Sequence, residues 1–282
     1  MSYTKRTLKE LNLLDDFLIE SVTSYPRIGE EFSRELLQII FNRKFGKLTV
    51  TPQKVYYGAD TIYHGTRLDV YLEENEDELS GEAAAIFDVE PNQICDSVSI
   101  KSLPKRVRFY HAKIDSRSLK AGDSYNKLKR VIVVMITPFD PFGYNRMIYT
   151  VKNAIIELPE AEYEDGAMTL FLYTKGNNEG MAEDLQKLLT YMENSTEENA
   201  TTEVLRRIHG MVETVRNDGE VSEKYMKVLE REEMLIEKGQ QIEKENTERE
   251  KRRADAEAER AAKAEKELAE LKAEYARLSA KA

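Results

Sequence analysis

The strongest constraint in this chain is residues 131–136, VIVVMI. Six apolar residues in a row show neither the two-residue alternation of a half-exposed strand nor the spacing of an amphipathic helix. Such a run reads as a strand covered on both faces. A strand of that kind needs a packed layer on each side, so the expected class is α/β, a mixed sheet flanked by helices.

The neighbouring segments supply the other parts. Residues 30–43 place Phe32, Leu36, Ile39 and Ile40 at i, i+4, i+7 and i+8, one apolar stripe of a helix. Residues 48–57 read as a strand, and His64-Gly65 as the turn into a second, RLDVYL. There Leu68, Val70 and Leu72 share one face, while Arg67, Asp69 and Tyr71 share the other. The acids from Glu73 to Glu78 form a polar turn. In the following AAIFDVEPN, Asp88, Glu90 and Asn92 fall on one face. Pro91 lacks an N–H, so this third strand is expected to end or bulge there. A helix over 104–114, with Pro104 in its first turn, can carry the crossover that parallel pairing with VIVVMI requires. PFDPFG is a turn, and RMIYTV and MTLFLYT are further strands.

From Glu179 onward the pattern is helical. Leu185, Leu188, Leu189 and Met192 make one stripe; Val204, Ile208, Met211 and Val215 make another, and Ser195-x-x-Glu198 reads as a capping box between them. After residue 225 the chain is rich in Glu, Lys, Arg and Ala. Leu268, Leu271, Tyr275 and Leu278 form a short heptad at its end, as in a solvated helix or a weak coiled coil that joins copies of the chain. The expected divisions are an N-terminal helical segment (1–27), a sheet domain (28–180), a helical extension (181–225) and a charged helix (226–282).

Composition excludes several classes. The only cysteine, Cys95, forms no internal disulfide, which suits a reducing cytoplasm. Three histidines, His64, His111 and His209, lie too far apart for a structural zinc site. No stretch approaches the roughly 20 apolar residues of a membrane span, and the first 20 residues are not a secretory leader. The formal net charge of −10 alone argues against a nucleic-acid partner, yet residues 101–130 hold ten Lys or Arg against two Asp. A local basic field of this kind holds phosphate even on an acidic protein.

Asp69 and Glu90 carry the chemistry. A hairpin that faces them towards each other projects two carboxylates from adjacent strands while its other face carries the core. Mg²⁺ takes oxygen ligands and keeps several waters, so two or three carboxylates suffice to bind it. A divalent ion so held activates water and offsets charge on a phosphodiester.

HGTRLDVYLEE, IFDVEPN, LPKRVRFYHAKID, GDSYNKLKRVIVVMI and TPFDPFGYNRMIYT together resemble the bacterial PD-(D/E)XK nuclease family transposases, relatives of the recombination-promoting nucleases, over about residues 10–180. The resemblance implies a restriction-endonuclease-like core with a helical C-terminal extension. It also implies a Mg²⁺- or Mn²⁺-dependent endonuclease with DNA as its partner, linked to mobile elements. Asp69 and Glu90 match the family's two acids and would bind the metal, with the carbonyl of Pro91 as a third ligand. A carboxylate on the first helix is often added, and Glu35, with Glu31 behind it, is the candidate. The family usually has Gln or Lys two residues after the Glu. Here Asn92 stands there, shorter and uncharged, and Lys105, Arg106 or Arg108 of the next helix are candidates to take over its part. Lys101, Lys105, Arg106, Arg108 and Lys113 are the expected DNA-backbone contacts. Asp88 reads as a partner that orients a basic residue. Two other readings stand beside the enzyme: a decayed nuclease fold that binds nucleic acid or protein, and a chain whose function lies in oligomerisation through its tail.

Overall fold

The computed structural model describes residues 6–56, 66–74, 85–178, 180 and 183–279. The His64-Gly65 turn and the acids after Glu74 lie outside these residues. The chain forms two compact units, Met1–Glu223 and Lys224–Ala282.

The first unit is built on a six-stranded mixed sheet in the order β1-β2-β3-β4-β6-β5. The strands are β1 (Leu48–Tyr56), β2 (Thr66–Glu74), β3 (Ala85–Pro91), β4 (Arg130–Thr137), β5 (Ile148–Val151) and β6 (Ala167–Tyr173). β1, β2 and β3 pair antiparallel, β3, β4 and β6 pair parallel, and β5 closes the far edge antiparallel to β6. VIVVMI lies in β4, with a strand on each side and every residue from Val131 to Thr137 buried. Pro91 ends β3.

The parallel step from β3 to β4 is made by α3 (Ser97–Ser118). This helix begins seven residues before the expected start. Asp96 caps it by accepting from the N–H groups of Val98 and Ser99 at 3.0 and 2.9 Å. Pro104 therefore sits inside the helix, not in its first turn. Its missing N–H leaves the Ile100 carbonyl without a helical donor, and Pro104 is exposed, where water satisfies such a group. Leu103, Val107, Tyr110 and Ile114 of α3 are buried against Ile86, Val131, Val133, Met135 and Phe171.

The opposite face is covered by α1 (Asp16–Ser24) and α2 (Ile28–Phe41), with α4 (Glu183–Glu193) and α5 (Glu203–Arg216) packed on α2. Phe41 of α2 meets Phe87 of β3 edge-on, with ring centroids 5.1 Å apart. The first residues are part of this unit, since Leu13, Leu14, Leu18, Ile19 and Val22 are all buried. Ser195 serves this packing and not a capping box: its hydroxyl accepts from Leu13 N–H and donates to the Tyr191 carbonyl, both at 3.0 Å. Thr202 caps α5 by accepting from Leu205 N–H at 3.1 Å.

PFDPFG is a turn held by Asp140, which accepts from the N–H groups of Phe142, Gly143 and Asn145 and from the Tyr149 hydroxyl. The second unit is the remainder of α6 (Gly219–Ser279), 61 residues long. Leu268 and Leu271 are exposed on it, and the side chains of Tyr275 and Leu278 lie outside the described residues. No described helix is long and apolar enough to cross a membrane.

Candidate functional site

The antiparallel register of β2 and β3 pairs Val70 with Val89 and Tyr71 with Asp88. One step further, Asp69 faces Glu90, and the N–H of Asp69 donates to Glu90 Oε1 at 2.8 Å. The two-residue repeat then puts Asp69, Asp88 and Glu90 on one face of the hairpin, the face beneath α3. Val70, Leu72 and Val89, one residue out of phase, are fully buried on the other.

Asp88 and Glu90 are enclosed, at 0% and 3% exposure. No N–H or hydroxyl among the described residues donates to either carboxylate oxygen of Asp88; the group that can bond it is the Glu90 carboxyl, through a shared proton. Burial pushes Asp88 well above the ordinary carboxylate range; the bond with Glu90 opposes this, Asp69 adds to it, and Arg106 of α3 opposes it. Glu90 is raised in the same way, first by burial and then by Asp88 and Asp69, against the hydrogen bond from Asp69 and the charge of Arg106. Three acids thus gather near one guanidinium. If all were ionised, two negative charges would be left uncompensated, so the cluster holds a proton or calls for a cation.

Arg106 is half-buried, and Tyr110, one helical turn on, has its ring 5.9 Å from the Arg106 guanidinium carbon. Burial raises the Tyr110 phenol, and Glu90 raises it further. Asn92 follows β3 at 4% exposure. Its N–H donates to the Ile136 carbonyl at 2.8 Å, while its side-chain Nδ2 is buried without an acceptor. Asn92 lies two residues past Glu90, so this buried amide is a donor close in sequence to the acids.

Glu35 is not part of this cluster. Helix α2 packs on the Phe87 side of the sheet, opposite to the side that carries Asp88 and Glu90. Glu35 Oε1 accepts from Arg207 of α5 at 2.6 Å. The residue lines a polar cleft with Glu31, Arg34 and Gln38. The amphipathic pattern placed Glu35 at the edge of the buried stripe but did not say which layer the stripe would cover.

The basic residues of α3 divide by helical position. Lys101, Lys105 and Arg108 are exposed along one stripe. Lys113 is half-buried with its ammonium 5.2 Å from the Phe109 ring centre, and Arg106 turns to the acids. Asp88 lies deeper in the cluster than a partner that orients a basic residue, and its two-residue spacing from Glu90 is the sequence signal for that place. The spacing of Arg106 and Tyr110 likewise marked them as one face.

Among the described residues, no group of three or more Asp, Glu, His or Cys side chains is gathered closely enough to hold a metal ion. The chain matches no family model, no curated protein and no solved structure.

Proposed function

We propose that this chain is a divalent-metal-dependent DNA endonuclease of the PD-(D/E)XK type. The observation that carries the reading is the pairing of Asp69 with Glu90 across β2 and β3, beside the fully buried Asp88. The residues fit Mg²⁺ or Mn²⁺ in their chemistry, with oxygen ligands and excess negative charge. Asp69 and Glu90 would hold the ion, with the Pro91 carbonyl and waters completing its shell. When bound, the ion lowers the pKa of a water and polarises the phosphodiester.

The chain's own groups account for the rest. Arg106 brings positive charge to the side of the site on which a phosphate would enter, and offsets charge that builds on its oxygens. Asn92 offers Nδ2 to a water or a phosphate oxygen, the part usually played by a longer side chain. Lys101 and Lys105 hold the DNA backbone without reading bases. Because burial raises Asp88 and Glu90 above the ordinary carboxylate range, a cation held there would compete with protons, and its affinity would rise with pH. The link to mobile elements, and assembly of copies through α6, belong to this proposal.

One observation favours a second reading. The absence of a three-ligand group among the described residues, with Asn92 in place of a longer donor, suits a decayed nuclease that still binds nucleic acid. Plasmid nicking with Mg²⁺ or Mn²⁺ separates the two. Cutting by the natural chain, lost in both Asp69→Ala and Glu90→Ala, supports the enzyme. No cutting by folded protein, together with no Mn²⁺ binding in a calorimetric titration, overturns it.

A further inference from the structure

A second cavity opens on the other flank of α3. On this helix Arg106 and Tyr110 lean towards the acids of β2 and β3, while Arg108 and His111 lean the opposite way, over β6 and β5. The parallel registers align Asp88 with Val133 and Val133 with Thr169. Thr169 therefore lies two strands from Asp88 in the same row, roughly 10 Å away. The cavity measures about 390 Å³, in the range that takes a small organic ligand and not merely an ion.

Its wall has three kinds of surface. Val107, Ala167 and Phe171 make an apolar floor, and Phe142 stands edge-on to Phe171 at 5.0 Å between centroids. Arg108 and Lys152 bring two cations from separate elements, and among the described residues no carboxylate lines the wall. Arg108 makes no ion pair among the described residues. Lys152 has only a long contact of 3.7 Å to Glu164, with both side chains at least half exposed, the kind of pair a phosphate displaces readily. The third surface is neutral and polar. His111 Nε2 lies 3.0 Å from Thr169 Oγ1, while its Nδ1 is buried without a partner. Asn153, anchored by donating to Asp165 at 2.7 Å, completes it.

We infer that this cavity binds a nucleotide, with the base against the apolar floor and the phosphate between Arg108 and Lys152. Charge complementarity selects an anion on a protein of net charge −10. Aromatic and apolar side chains next to neutral hydrogen-bonding groups select a flat ring with polar edges. Arg and Lys together suit a phosphate group. The nucleotide is free or belongs to a single strand; the chemistry is the same. The site stands apart from the carboxylate cluster, because neither Asp69 nor Glu90 lines it.

The test is calorimetric titration of the full chain in EDTA with 2′-deoxyadenosine 5′-monophosphate, with deoxyadenosine, and with a ten-nucleotide single strand of deoxyadenosine. The expected result is binding of the monophosphate or the strand, weakened at least tenfold in the Arg108→Gln/Lys152→Gln double variant and abolished in Ala167→Phe, which fills the cavity. Deoxyadenosine should bind at least tenfold more weakly than the monophosphate. Binding of the strand but not the monophosphate identifies a strand as the source; the reverse identifies a free nucleotide. Binding of neither, or binding that both variants leave unchanged, overturns the inference. Asp69→Ala should retain this binding, so loss of nicking and loss of the nucleotide site are read separately.

Discussion

The backbone N–H of Asp69 donates to the side chain of Glu90 at 2.8 Å, so one acid is positioned by the peptide group of the other. The bond also favours the charged form of Glu90 against burial and against Asp88. A small change in charge at this cluster should therefore have consequences for stability and for pH response.

Asp88→Asn should stabilise the metal-free protein, increasingly so as pH rises. Asp88 has a folded-state pKa above its unfolded value of about 3.9. The stability it contributes is thus fully present below that value and is lost as pH rises through the folded pKa. Asn keeps the shape and does not titrate. In thermal melts in EDTA, the Tm of the variant minus that of the natural chain should widen from pH 4 to pH 8, and Mg²⁺ should narrow it. A gap independent of pH would show that the burial of Asp88 has no electrostatic cost.

Arg106→Gln should leave the fold intact and lower metal-dependent nicking by about tenfold or more, the loss of roughly one charge-assisted contact. Arg106 opposes the upward shift of both Asp88 and Glu90. Its removal should also move the pH at which half the cutting is lost to a higher value. An unchanged pH profile would assign Arg106 to packing alone.

Gly29→Ala should destabilise the first unit. A Cβ built on Gly29 meets the Thr23 carbonyl oxygen at 2.0 Å, and that atom is backbone with no rotamer to retreat into. The cost should reach the upper part of the roughly 1–3 kcal/mol range for overpacking. Urea denaturation read by circular dichroism measures it, and a loss under about 0.5 kcal/mol would show that the turn between α1 and α2 yields easily.

Arg216→Met should be more damaging, by about 3–5 kcal/mol. Arg216 is buried and donates to the carbonyls of Leu11 and Ser195 and to Glu213 at 2.5, 2.9 and 2.8 Å. Methionine fills much of the space and leaves both carbonyls without a donor. The same denaturation experiment decides, and stability within about 1 kcal/mol of the natural chain would mean that water replaces the guanidinium.

The elements with one dominant signal were legible in the sequence. VIVVMI became the central strand, and the alternation in RLDVYL and IFDVE put Asp69, Asp88 and Glu90 on one face. The start of α3 was not legible, because Pro104 reads as a first-turn residue and the Asp96 cap lies eight residues ahead of it. Glu35 was misassigned for a different reason: helical periodicity fixes which side of a helix is buried but not which side of a sheet the helix covers. The nucleotide cavity had no sequence signal, since Arg108, Lys152 and Thr169 come from three separate elements and meet only when β6 joins the sheet.

Arg216 donates to the Leu11 carbonyl and the Leu13 N–H donates to Ser195, so these residues close on partners made about 200 positions later. At a synthesis rate of about 5–20 residues per second, that interval is on the order of 10–40 s. Throughout it, Leu13, Leu14, Leu18 and Ile19 have emerged without the helices that complete their burial. A newborn chain thus passes through a stage in which this apolar segment lies uncovered until Arg216 and Ser195 reach it. Stop codons that shorten the chain before residue 216 should leave the segment bare and direct the product to chaperones and proteases.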